Sequence, residues 1–186
     1  MHVGKGIVLL LSFFLDKNTR MNFPLLDTLK HDDYFMQQAL RQAIQAYEKD
    51  EVPVGAVIVH DHKIIARAHN QVELLKDATA HAEILAITQA ASFIGDWRLN
   101  ECDLYVTKEP CPMCAGASVN ARVRRVIFGC GDPSGGGAGG LLNILQIPTL
   151  NHQCEISSGV RAEECRQLLK HFFHEKRTMN KNPLLS

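Results

Sequence analysis

The chain has 186 residues, 46% of them hydrophobic, with 20 Lys plus Arg balanced by 20 Asp plus Glu. That length fits one domain with a sizeable core, and the charge balance excludes a global basic field, so a nucleic-acid partner would need a local patch. Six cysteines in a chain this long argue against a disulfide framework and for metal binding or packed thiols in a reducing compartment.

At the N-terminus, Lys5 precedes an apolar run from Gly6 to Leu15. It is too short to span a bilayer, and no small-x-small cleavage site follows it. Met21 restarts the chain before the first helical pattern, so residues 1–20 are expected not to belong to the working protein. Residues 1–28 are therefore assigned to an N-terminal extension, 29–180 to the functional domain and 181–186 to a frayed tail.

Asp32 or Asp33 is a candidate cap for a helix running to about Lys49. Phe35, Met36, Leu40, Ala43, Ile44 and Tyr47 give it an apolar stripe near the 3.6 period, and Glu48 to Glu51 reads as a solvated charge run. Val52 to Val59 predicts a strand with Pro53 at its start, and Lys63 to Ala68 its hairpin partner. Asn70 follows, where a turn role is ordinary for Asn. Thr79 can cap a second helix over Ala80 to Ile94, with Glu83 spaced for a capping box.

Leu104 to Thr107 predicts the third strand, broken by Pro110. Pro112 suits the first turn of a third helix, through about Asn120. Arg124 to Gly129 predicts the fourth strand. The glycine-rich stretch Gly131 to Gly140 lacks the Gly-Lys-Ser/Thr ending of a phosphate-cradling loop, which excludes nucleoside triphosphate binding of that kind. Leu141 to Leu145 predicts a short helix and Cys154 to Ser157 a fifth strand. Arg161 to Arg177 predicts a terminal helix with Cys165, Leu168, Leu169, Phe172 and Phe173 on its apolar face. Helices alternating with strands after a hairpin predict one α/β domain, a central mixed sheet covered by helices.

Cys111 and Cys114 lie three apart at a helix start, which puts both sulfurs on one side, where the helix end favours thiolate. Alone, the pair fits a redox motif or half of a structural zinc site. A structural site needs a second Cys pair, and Cys102, Cys130, Cys154 and Cys165 offer none at short spacing. A redox pair gives no role to His81-Ala82-Glu83. Two thiolates and the His81 imidazole suit Zn²⁺, with a fourth position left to water. At the first turn of a helix pointing end-on at the metal, Glu83 stands beside that water as proton acceptor and donor. His-x-Glu followed by Pro-Cys-x-x-Cys is the known signature of zinc deaminases.

Between residues 32 and 177 the chain resembles the bacterial tRNA-specific adenosine deaminases of the TadA type. The resemblance is carried by Glu51-Val52-Pro53-Val54-Gly55-Ala56-Val57, Asn70, Ala80-His81-Ala82-Glu83, Leu104 to Thr107, Glu109-Pro110-Cys111 and Met113-Cys114-Ala115-Gly116-Ala117. It continues through Arg122, Arg125-Val126, Phe128-Gly129, Asp132, Asn151-His152 and Phe172-Phe173. It implies a cytidine-deaminase-like three-layer α/β/α fold with a five-stranded mixed sheet, one Zn²⁺ per subunit, a cytoplasmic homodimer and conversion of adenosine to inosine at the wobble position of a tRNA anticodon arm. It also implies that Asn70 and the Ala82 backbone N–H contact the flipped base, that Val52 and Pro53 wall its pocket, and that Asp132 lies near the preceding sugar. An Asp-Pro turn is the other reading of Asp132.

Three departures bear on RNA contacts: Lys108 where the family commonly has an apolar residue, a terminal helix less basic than usual, and a loop richer in glycine. Local positive charge is sought in Arg122, Arg124, Arg125, Lys170, Lys176 and Arg177. Two rival readings remain at this level: a deaminase of a free nucleobase or nucleoside, and a non-catalytic RNA-binding zinc module, which would have no use for Glu83.

Overall fold

The computed structural model describes residues 24–181, with side chains from residue 31 to 179. The expectations for residues 1–20 and for the tail beyond Lys181 lie outside the described residues. The chain divides into Met1–Lys30 and His31–Ser186, and the fold described is that of the second unit.

Helix α1 spans Pro24–Glu48, strand β1 Gly55–His60 and strand β2 Lys63–His69. A short helix α2 covers Val72–Leu75, then come α3 (Ala82–Ile94), β3 (Cys102–Lys108), α4 (Pro112–Asn120), β4 (Arg125–Cys130), β5 (Glu155–Ser158) and α5 (Ala162–Lys181). The five strands form one sheet in the order β2-β1-β3-β4-β5. The β1–β2 and β1–β3 pairs are antiparallel, while β3–β4 and β4–β5 are parallel. The mixed direction follows from the connections: a tight turn allows the β1–β2 hairpin, and a crossover helix is needed between the parallel β3 and β4.

Alternate residues of β1 face opposite layers. Ala56 and Ile58 join Leu104, Val106 and Val126 against α3 and α4. Val57 and Val59 join Tyr105 and Ile127 against α1 and α5. The result is three layers, α/β/α. Ala82, Ala86 and Ala90 form the buried stripe of α3, and their small side chains let that helix lie close to the sheet. Gly55 has a similar purpose on the other side. A Cβ there would sit 2.1 Å from the Ala39 carbonyl oxygen and 2.3 Å from the Ala43 nitrogen, so β1 passes directly against the α1 backbone.

Several local expectations are corrected. Asp32 does not start α1. Its carboxylate is buried inside the sheet-facing layer, accepting from the Tyr105 hydroxyl at 2.7 Å and from both Arg125 Nη atoms at 3.0 and 2.7 Å. Asp33 pairs with Arg161. Ile44 is exposed, and Ala39 and Ala46 take up the buried stripe instead. The strand expected from Val52 begins at Gly55. Leu141 to Leu145 is not a helix, and a single 3₁₀ turn occupies Ile144–Gln146. The α4 boundaries, Pro112 to Asn120, agree with those predicted. Among the described residues no helix is long and apolar enough to cross a membrane.

Candidate active site

Two helix N-termini meet at the site. His81 is the residue immediately before α3, and Cys111 the residue immediately before α4, both with extended backbone. His81 Nδ1 lies 3.6 Å from Cys111 Sγ and 3.5 Å from Cys114 Sγ. One ligand atom from each of the three residues falls within 4.8 Å of the others, so the group can hold a metal ion. Cys114 is fully buried one turn into α4, and Glu83 is 3% exposed in the first turn of α3. Thr79 does not cap α3. Its N–H and hydroxyl both bond the Asp77 carboxylate, which closes the preceding turn and delivers His81 to the helix start. With His81 as the residue before α3, Glu83 is its second residue, one short of the capping-box position, and its side chain is buried.

Electrostatics separate the two thiols. The Cys114 S–H donates toward Cys111, and with the neighbouring His81 it pulls the Cys111 pKa down to about 3. That same bond, burial and the adjacent Glu83 charge push the Cys114 thiol up. His81 is raised, chiefly by Cys111. Burial raises Glu83, favouring its protonated form.

A cavity of about 320 Å³ opens over this floor. His81, Glu83 and Cys111 line it below, and Val52, Val54, Asn70, Val72, Leu169 and Phe173 line it around the sides. Asn70 and Val52 both line this cavity. Ala82 is fully buried at the first position of α3, where its N–H has no partner within the helix. Pro53 is buried and Asp132 partly so, and neither lines the cavity.

Two buried carboxylates shape the walls. Glu51, expected in a solvated run, is only 1% exposed. It accepts from Asn70 Nδ2 at 3.0 Å and from the backbone N–H groups of Glu73 at 3.2 Å and Leu74 at 2.7 Å. Glu109, 3% exposed, accepts from the N–H groups of Asp132 at 2.8 Å, Ala138 at 3.0 Å and Gly140 at 2.7 Å. The glycine-rich stretch is thus wrapped around a carboxylate, and a Cβ at Gly136 would come within 2.2 Å of the Glu109 side chain. Asp132 closes its own turn through Ser134 and Gly135 and pairs with Lys108, which draws its pKa down to about 2. Both carboxylates escape sequence reading because their partners lie 19 to 31 residues away. The available signal was an acid directly against an apolar strand or a Pro-Cys pair, where solvent exposure is costly to assume.

A buried carboxylate beside a His-Cys-Cys set, at the floor of a cavity in this mixed sheet, defines a deaminase of the cytidine-deaminase-like class. Comparison with known proteins agrees. The family model for MafB19-like deaminases matches residues 29–177. The tRNA-specific adenosine deaminase of Bacillus subtilis is 50% identical over 153 residues, covering 82% of this chain and 95% of the relative. A structure from work on A-to-I editing by tRNA:A34 deaminases superposes with a TM-score of 0.71 at 45% identity, covering 73% of this chain and 99% of the other. A guanine deaminase from Bacillus subtilis is 40% identical with a TM-score of 0.51, but over only 53% of this chain and 63% of its own. The chain belongs to the MafB19-like deaminases and, among them, to the family of tRNA-specific adenosine deaminases.

Proposed function

We infer that the protein is a zinc-dependent hydrolase that converts adenosine to inosine at the wobble position of a tRNA anticodon, releasing ammonia. The observation that carries the chemistry is the meeting of His81, Cys111 and Cys114 with buried Glu83 at one cavity floor. The substrate reading is supported by the relatives' names and by near-complete coverage of their length.

Tetrahedral Zn²⁺ with Zn–S of about 2.3 Å and Zn–N of about 2.0–2.1 Å separates nitrogen from sulfur by about 3.6 Å. The two His81–Cys separations are 3.6 and 3.5 Å. His81, Cys111 and Cys114 would hold the ion, leaving one position open. Bound there, Zn²⁺ supplies a Lewis acid that brings the pKa of water down toward ~7.

Glu83 then moves the protons. Its carboxylate takes a proton from the attacking water and delivers it to adenine N1 as the water oxygen joins C6. It next takes the proton of the new C6 hydroxyl and passes it to the departing 6-amino nitrogen, so that the C6 carbonyl forms as the C6–N6 bond breaks and ammonia leaves. Burial raises the Glu83 pKa, which strengthens its carboxylate as a base toward the attacking water. Val52, Val54, Leu169 and Phe173 exclude solvent around the base. Asn70 and the Ala82 N–H orient it.

A cavity open to solvent and a flipped base suit a loop nucleotide, which leaves its stack at modest cost. A homodimer is supported by the exposed apolar side chains Met113, Leu141 and Leu142 around α4 and the adjoining loop. A reducing, cytoplasmic setting is supported by all six cysteines being free.

The reading is tested with the zinc-loaded enzyme on three substrates: an anticodon-arm RNA with adenosine at the wobble position, free guanine and free cytidine. Inosine in the RNA, with little turnover of the small molecules, is expected. Turnover confined to guanine or cytidine would replace the substrate, and no turnover of any would leave a binding module.

A further inference from the structure

We propose that Glu51 is a positioning residue for base recognition: its carboxylate fixes the orientation of the Asn70 amide and so the donor–acceptor order shown to the base. The proposal rests on the adenosine reading above.

An ionised carboxylate accepts hydrogen bonds and donates none. Glu51 Oε2 stands 3.0 Å from Asn70 Nδ2, so the amide must turn its NH₂ group toward Glu51 and its carbonyl Oδ1 away. The opposite orientation would set two oxygens against each other in a site where Glu51 is 1% exposed and Asn70 is 6% exposed. Glu51 cannot rotate to relieve such a clash. Its Oε1 is held at 2.7 Å by the Leu74 N–H, and its Oε2 also receives the Glu73 N–H at 3.2 Å. Both residues, Glu51 and Asn70, line the cavity that holds His81 and Glu83.

With one N–H committed to Glu51, the amide retains Oδ1 and a second N–H. That pair, side by side on one edge, is the arrangement with which Asn reads adenine, Oδ1 accepting from N6–H and the amide N–H donating to N7. A purine with oxygen at position 6 offers two acceptors on the same edge, against which a fixed Oδ1 is repelled. Glu51 therefore favours a 6-amino purine without touching it.

Glu51→Gln preserves shape and removes this constraint. The new amide has one oxygen for three N–H donors: with it kept on the shorter bond, to Leu74, the NH₂ faces both Asn70 and the Glu73 N–H, whose bond is lost. Asn70 must turn Oδ1 toward it and invert the edge shown to the base.

The test compares two anticodon-arm RNAs, one with adenosine and one with 7-deazaadenosine at the wobble position. On the adenosine RNA, Glu51→Gln is expected to lower kcat/KM by about tenfold or more; on the 7-deaza RNA, which already lacks one partner of the pair, by less than about threefold. A merely structural role, such as loosening the turn at Glu73 and Leu74, lowers both alike, and equal losses overturn the proposal. Zinc content and thermal melting establish that the variant is folded. If it is not, Glu51→Asp, which keeps the charge but draws it back from Asn70, is measured on the same two RNAs with the same expectation. Wild-type turnover of the adenosine RNA is measured first. Its absence overturns the functional reading and this inference with it, whereas wild-type turnover with equal variant losses overturns this inference alone.

Discussion

The floor and the walls of the cavity are built on different principles. The floor uses the starts of α3 and α4, where residues close in sequence present their side chains to one point: His81 with Glu83, Cys111 with Cys114. The walls use buried carboxylates, Glu51 and Glu109, that gather N–H groups from distant segments. The floor therefore carries the reactive groups at positions set by local helix geometry. The walls depend on long-range satisfaction of charge, and changes there alter shape and recognition before they alter chemistry.

Breaking the floor has the largest expected effect. Cys114→Ala removes one of the three donors that could hold a metal ion; on the proposed zinc reading, bound zinc should fall from about one equivalent to a small fraction, with deamination lost in parallel. Metal analysis after dialysis checks this; full zinc occupancy in the variant would remove Cys114 from the ligand set.

Breaking the wall at the glycine-rich loop comes next. Gly136→Ala places a Cβ against Glu109, whose carboxylate is held by three N–H groups and cannot withdraw. Destabilisation of about 1–3 kcal/mol is expected, read as a fall in Tm of several degrees, with zinc content retained. An unchanged Tm would mean that the loop is free to move off Glu109.

The smallest effect is expected at the rim. The Lys108–Asp132 pair and the Ser134 bonds depress the Asp132 pKa, so the pair contributes stability above the ordinary carboxylate range and loses it as pH falls toward about 2. Lys108→Leu should reduce neutral-pH stability by less than about 1 kcal/mol and flatten that acid limb, measured by denaturant melts from pH 6 downward. An acid limb as steep as the wild type would assign it to other carboxylates.

The same contrast explains what the sequence discloses. Cys-x-x-Cys beside Pro112, and His-x-Glu before an apolar helical pattern, encode the floor within a few residues of chain, so the gathering of His81, Cys111 and Cys114 near Glu83 is legible in the sequence. The strand order was legible in class but not in detail, because nothing local to Arg125 or Glu155 says that β4 pairs in parallel on both sides. Asp32 looked like a helix cap because its partners Tyr105 and Arg125 are 73 and 93 residues away. Glu51 looked solvated for the same reason, since a charged residue reads as exposed until its buried donors are known. The partners of Asp132, Lys108 and its own turn, are legible only in the folded chain.

On the proposed mechanism Glu83, and not metal binding alone, makes the floor a deaminase. Single-turnover deamination of the wobble-adenosine RNA with Glu83→Ala, at matched zinc content, tests this most directly. Retained zinc and fold are expected, with a rate lower by about 10²- to 10⁴-fold. A zinc-loaded variant turning over within about tenfold of wild type would contradict it.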